Sequence, residues 1–251
     1  MTMQFSLKRI INSVYRDVTV LRGSIVTGLS IAAGILFIAF LLNLGFGDHS
    51  ITAEDYAGTS GLLYVLFGVL FTFSIFKEVH DQKKNHLYLT LPISPVERVI
   101  AVWITTYILY TVAFTILGVL IGQMAIIFGS LFSKVNLHFI SIFSEEYWKM
   151  ITFYLFVQPV FFYGAIRFGK NRMGKTVLSL LLVFLGILFY NFLIYGMLNH
   201  DFDVFSGEQL ASEAFNLAKK DFSITGRWLF MIILGPAMFL AGYFRMIEKE
   251  V

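Results

Sequence analysis

The chain has 251 residues, 57% of them hydrophobic and only 14% charged, with a formal net charge of +3 and a mean hydropathy of +0.76. That is too apolar for an ordinary water-soluble domain, in which apolar residues make up about half, so a polytopic membrane protein is expected. Cysteine is absent, which excludes a disulfide framework and thiolate metal sites.

In chain order, residues 1–23 place Leu7, Ile10, Ile11, Val14, Val18 and Leu21 at helical spacing, with Lys8, Arg9, Arg16 and Arg22 largely on other faces. This is the pattern of an amphipathic helix lying in a membrane interface; a simple positively charged flank reads equally well. The apolar run that follows, residues 24–44, is longer than the core of a cleaved signal peptide and is expected to span and stay. Residues 61–76 and 99–128 hold no Asp, Glu, Lys, Arg or His and read as the second and third spans. Three more are expected at about 150–166, 176–198 and 228–244, giving roughly six. Gln158-Pro159 and Gly235-Pro236 should bend the fourth and sixth.

Between the second and third spans lies a polar, proline-marked insert, residues 77–98, KEVHDQKKNHLYLTLPISPVER. Its first half predicts a short helix ending near Thr90, because Pro92 disfavours helical geometry at Leu91. Its second half carries a helix start: Ser94 as N-cap, Pro95 as the first helical residue, and Glu97 reaching back to the N-cap amide. Basic residues assign the sides by alternation. Lys8, Arg9, Arg16 and Arg22, then Lys77, Lys83, Lys84 and Arg98, then Arg167, Lys170, Arg172 and Lys175, and finally Arg245 and Lys249 fall on one side. Lys134, Lys149, Lys219, Lys220 and Arg227 fall on the other. The positive-inside bias then puts both termini and the insert in the cytoplasm of a bacterial-type inner or plasma membrane.

Most acids fall in the outer loops, among them Asp48, Glu54, Asp55, Glu145, Glu146, Asp201 and Asp203. The last outer loop, residues 199–227, predicts a short amphipathic helix starting at Ser206 and Gln209 and running to about Phe222, as an outer gate or as a cover over the bundle's mouth. No Asp, Glu, Lys, Arg or His lies within any expected span, although such residues are the carriers that ion-coupled pumps use. The neutral polar groups within reach are Thr72, Ser74, Thr105, Thr106, Gln123, Gln158 and Asn191. Uphill transport by this chain would need its energy delivered from elsewhere.

The run FKEVHDQKKNHLYLTLPISPVERVIAVW resembles the loop between the second and third transmembrane helices of ABC-2 type permeases, the membrane subunits of a large class of ABC exporters. Leu89, Thr90, Leu91, Pro92, Ser94 and Glu97 carry the likeness; Tyr88 stands where the family pattern has its first leucine. The resemblance implies an all-α, six-helix ABC-2 (type V exporter-like) bundle forming a single transmembrane domain over 1–251, with an amphipathic elbow helix over 1–23. It implies that the insert docks on a separately encoded ABC ATP-binding subunit, which would hold the ATP and magnesium. A second permease subunit, identical or related, would complete the pathway in the lipid bilayer, with no nucleic acid partner. Coupling residues are expected at Glu78, Asp81, Lys83, Lys84, Tyr88, Leu91 and Glu97. The cargo class would be hydrophobic or amphipathic, such as a lipid, peptide or drug-like molecule. The alternatives are a non-transporting membrane scaffold or anchor and, further off, a membrane-embedded hydrolase.

Two patterns compete with that reading. Residues 169–176, GKNRMGKT, satisfy the phosphate-loop pattern through Gly169, Gly174, Lys175 and Thr176. They lack the preceding core strand, so a short basic cytoplasmic turn is expected, with no catalytic site and no cofactor or metal in this chain. His138 with Glu145 and Glu146, and His200 with Asp201 and Asp203, could assemble a metal or acid-base site, but they lie in loops outside the apolar runs.

Overall fold

A computed structural model describes residues 5–46, 52–80, 93–131, 144–198 and 230–250. These residues are helical apart from caps and turns, and contain no strand. We label the long helices α1 (Leu7–Phe46), α2 (Ala53–Ile75), α3 (Pro95–Gly129), α4 (Glu145–Arg167), α5 (Arg172–Leu198) and α6 (Gly235–Glu250). Five of them, α1 to α5, are long and apolar enough to cross a membrane. The sixth expected span falls on α6 and the wide π turn Phe230–Leu234 before it, and its start lies outside the described residues.

The first difference from expectation is α1. Instead of an elbow helix followed by a span, the chain forms one continuous helix of 40 residues, about 60 Å long at 1.5 Å per residue. A lone glycine costs a helix only about 1 kcal/mol relative to alanine, and Gly23 does not interrupt it. Because the hydrocarbon layer is about 30 Å thick, the first half of α1 must project beyond it. Of the expected apolar face on that half, Ile10 is fully buried, whereas Leu7 and Ile11 are exposed. The helix packs through the stripe of Ile10, Asp17 and Leu21, so only part of the expected face is used, and Asp17 on it is buried and ion-paired to Arg16 at 3.1 Å.

The third helix is equally oversized. At 35 residues it runs about 52 Å, and it holds a π turn at Ile104–Leu109. At the other membrane face the acids expected in loops are drawn into helix starts. Thr52 and Asp55 form a reciprocal capping box on α2, and Ser144 caps α4 with Glu145 and Glu146 in its first turn. Carboxylates there meet the positive end of the helix dipole.

Two apolar clusters hold the bundle together. In one, Ala32, Leu36, Phe40 and Leu44 recur every four residues along α1 and meet Tyr56 and Tyr64 of α2, Phe114 and Ile126 of α3, and Tyr147 and Tyr154 of α4. In the other, Phe73 and Phe76 pack on Val102 of α3, Phe162 and Ile166 of α4, and Met246 of α6. The fifth helix meets the bundle through its start, where Thr176 is buried against Gly164 of α4. Its residues 181–190 are exposed all round, an apolar surface that no other described helix covers.

Candidate functional site

The start of α3 is built as its sequence predicts. Ser94 Oγ accepts from the Glu97 amide at 3.3 Å, Glu97 Oε2 accepts from the Ser94 amide at 2.9 Å, and Pro95 occupies the first turn. A proline there costs nothing, since its missing N–H would have no partner inside the helix. What the sequence does not announce is the rest of Glu97's environment. Its side chain has no solvent exposure, and its Oε1 accepts from the Ser6 amide at 2.7 Å. The Arg9 guanidinium donates to both of its oxygens, Nη2 to Oε1 at 2.8 Å and Nε to Oε2 at 3.1 Å. The carboxylate thus closes the capping box of α3 and the start of α1 at once. A forked, charge-assisted pair of this kind fixes orientation as well as contributing energy. Glu97 therefore faces inward; in any docking of the insert it would act by holding the exit of the insert in place, not by touching a partner.

Of the other expected coupling residues, Glu78 lies in a single helical turn, Lys77–His80, and its side chain is outside the described set. Asp81, Lys83, Lys84, Tyr88 and Leu91 lie outside the described residues. The insert's entrance is tied down at His80, whose Nε2–H donates to the Ala165 carbonyl at 2.9 Å, near the end of α4. Both ends of the insert are therefore fastened, one to α4 and the other to α1.

A second constellation fills the middle of the bundle. In the π turn of α3, the Thr106 carbonyl accepts from Tyr154 Oη at 3.0 Å, and Thr106 Oγ1 accepts from Gln158 Nε2 at 2.5 Å. A π turn disturbs the regular hydrogen-bond ladder, and such turns are frequent at functional positions; here two side chains of α4 serve the disturbed turn. Around it, Tyr110 Oη donates to the Tyr64 carbonyl at 2.6 Å, and Tyr64 Oη shares a hydrogen bond with Thr111 Oγ1 at 2.7 Å. The rings of Tyr64 and Tyr110 stack at 5.4 Å, and Tyr154 meets Tyr64 edge-on at 4.9 Å. Toward the other face, Tyr147 and Thr115 join hydroxyl to hydroxyl. Of the neutral polar residues expected within reach of the bundle, Thr106 and Gln158 are brought together, while Thr72 and Thr105 bond back to their own helices. The tyrosines went unnoticed in the sequence. Their only advance signal is helical spacing within otherwise apolar runs, three residues between Tyr107 and Tyr110 and seven between Tyr147 and Tyr154.

The arrangement is neutral, hydroxyl-rich and held by aromatic packing. Gln158 Oε1 is buried without a hydrogen-bond partner. The amide is thus half satisfied, on α4 one residue before Pro159, and α4 runs through that proline.

The GKNRMGKT stretch is a corner between two membrane helices. The element before it is α4 rather than a strand, Asn171 takes the left-handed backbone at φ 50°, and α5 begins at Arg172. Thr176 Oγ1 donates to the Arg172 carbonyl at 2.8 Å, and the Thr176 side chain packs directly against Gly164. Lys175 is exposed. Of the acids considered for an outer site, Glu145 pairs with Lys149 one turn along at 2.8 Å, while His138, His200, Asp201 and Asp203 lie outside the described residues. Among the described residues no three metal-ligating side chains converge. No protein-family model matches the chain, and neither a curated protein nor a solved structure matches it.

Proposed function

We propose that this chain is the transmembrane permease subunit of an ATP-driven ABC exporter, moving a hydrophobic or amphipathic substrate with energy from a separate ATP-binding subunit. The observation that carries the reading is the insert, in which a Leu-x-Leu-Pro-x-Ser-Pro-x-Glu run, Leu89 to Glu97, leads directly into a membrane helix. The mechanics of its exit support it. A load on the insert enters α3 through Pro95 and α1 through the Glu97–Arg9 pair, so two helices longer than the bilayer is thick would move together. The absence of Asp, Glu, Lys, Arg and His from the apolar runs favours an external energy source over an ion gradient.

In this reading the termini and the insert are cytoplasmic, a second permease subunit completes the pathway, and ATP and magnesium belong to the partner. Tyr88 and Leu91 are the anchors, and Glu78, Asp81, Lys83 and Lys84 set the register. The test is to replace Tyr88 and Leu91 with Ala and measure membrane insertion and copurification with the ATP-binding subunit. Normal insertion with copurification reduced at least about tenfold is expected, the loss of about 1.4 kcal/mol or more. Unchanged copurification together with unchanged ATP-dependent transport would overturn the proposal.

A further inference from the structure

The π turn of α3 joins two buried stripes that a regular helix could not align. Arg98, Ala101, Val102 and Thr105 are buried up to and within it, and Tyr110, Phe114 and Gly118 beyond it. At about 100° per residue, an uninterrupted α-helix would set these stripes about 160° apart. A π turn takes up one extra residue and brings them to about 60°, so that both can face the bundle. Both ends are held in that relation. The first half is fastened to α1 through Glu97 and Arg9, and the second to α2 through Tyr110, whose Oη donates to the Tyr64 carbonyl at 2.6 Å.

The anchored ends require one extra residue between the two stripes but do not dictate the turn that takes it up. Its place is set by α4. The Tyr110 amide, which would serve the Thr106 carbonyl in an α-helix, donates instead to the carbonyls of Thr105 and Tyr107. Tyr154 Oη takes its place at the Thr106 carbonyl, at 3.0 Å, and Gln158 Nε2 donates to Thr106 Oγ1 at 2.5 Å. This latch stands on an interrupted stretch of its own helix. Pro159 has no N–H to offer the Leu155 carbonyl, and Gln158 Oε1 is buried without a hydrogen-bond partner. The hydrogen-bond ladders of α3 and α4 are therefore both disturbed at the level where the two helices hold each other.

We infer that the π turn is a movable joint, latched at Thr106 by Tyr154 and Gln158, which slides along α3 while both ends of the helix stay fastened. A shift by one turn rotates only the residues passed over, by about 100°, and leaves the anchored stripes in place. It also passes the disturbed carbonyl to a residue about 5 Å along the axis, beyond the reach of the Tyr154 hydroxyl, which is why the latched register is the favoured one. The inference requires only the packing of α1 to α4 and does not depend on ATP-driven transport. A failure here leaves the exporter reading untouched, and the reverse also holds.

One-residue deletions test the joint, because removing a residue inside it turns α3 into a regular helix with both stripes still aligned. Ile108 and Ile116 are both exposed, the first inside the π turn and the second beyond it. Deleting Ile108 should leave the melting midpoint of the full chain in detergent within about 4 °C of the wild type. Deleting Ile116 turns Gly118 and the buried residues after it away from Tyr110 and Phe114, and should lower the midpoint by about 8 °C or more. Movement of the joint is read by amide hydrogen exchange over residues 104–112, relative to residues 116–126 of the same helix. Tyr154→Phe should speed that exchange about tenfold, the effect of one lost hydrogen bond. In the chain without Ile108 the Thr106 carbonyl has its helical amide again, so the same substitution should change exchange less than about twofold. Equal midpoints for the two deletions, or a chain without Ile108 that does not fold, would overturn the inference. So would an exchange rate that Tyr154→Phe leaves unchanged, or changes equally with and without Ile108.

Discussion

Removing Arg9 tests whether the starts of α1 and α3 behave as one unit. Arg9→Ala deletes two charge-assisted hydrogen bonds, of 3.1 and 2.8 Å, to a carboxylate with no solvent exposure. Buried bonds of this kind contribute about 1.5 to 3 kcal/mol each. The arginine side chain, however, is 33% exposed, so water screens its share, and the Ser6 and Ser94 amides still serve the carboxylate. The expected cost of Arg9→Ala is therefore about 1 to 2 kcal/mol, the lower part of the range for a disrupted ion pair. Glu97→Ala removes the carboxylate from all its donors and opens the capping box as well, at an expected cost of about 2 to 4 kcal/mol. The double variant should cost less than the sum by about 1 kcal/mol, because the second change removes a partner that the first has already orphaned. Thermal unfolding of the purified chain in one detergent measures this. For a chain of this size each kcal/mol moves the midpoint by about 2 to 4 °C, so Arg9→Ala should lower it by roughly 2 to 8 °C. Costs that add to within about 0.5 kcal/mol would refute the shared junction.

The interior makes two further predictions. A Cβ at Gly68 would lie 2.6 Å from Tyr154 Cζ and Oη, and Tyr154 is fully buried with its hydroxyl committed to Thr106, so Gly68→Ala should destabilise by about 1 to 3 kcal/mol, read as a lowered melting midpoint; an unchanged midpoint would mean that the contact is not made. Tyr154→Phe should cost about 1 to 2 kcal/mol by leaving the Thr106 carbonyl unserved, whereas Gln158→Leu, which also removes the unpartnered Oε1, should stay within about 1 kcal/mol of the wild type. Comparing these two variants in the same melting assay checks the assignment, and the reverse order would contradict it.

The features legible in the sequence are those whose partners lie within one helical turn. Ser94, Pro95 and Glu97 form their cap from neighbouring residues, so a pattern three residues long suffices to predict it, and the apolar runs identify five of the membrane helices by length alone. The Arg9–Glu97 pair could not be read in this way, because its members are 88 positions apart and each already has an adequate local reading: Arg9 as a basic flank and Glu97 as a capping acid. The tyrosine interior was hidden for a related reason. Tyrosine counts as an ordinary member of a membrane helix, and only the packing of α2, α3 and α4 shows which hydroxyls meet. The expected elbow helix over 1–23 and the span over 24–44 run on as one helix, since nothing between them, Gly23 included, is a strong enough helix breaker to end α1.

These distances decide which residues can test the exporter reading cleanly. A Glu97 substitution that abolished association with an ATP-binding subunit would prove little, since it would also unfasten α1 from α3 and open the cap through which the insert enters its helix. The same holds for His80, whose bond to the Ala165 carbonyl ties the entrance of the insert to α4. Residues that fasten the insert to the bundle and residues that meet a partner must therefore be separated by measurement. The first kind, Arg9 and Glu97, should lower the melting midpoint of the isolated chain, whereas Tyr88 and Leu91 should leave it in place and change only copurification. A Tyr88→Ala or Leu91→Ala protein that melted as early as Arg9→Ala would assign those side chains to the bundle's own packing and remove them as docking anchors.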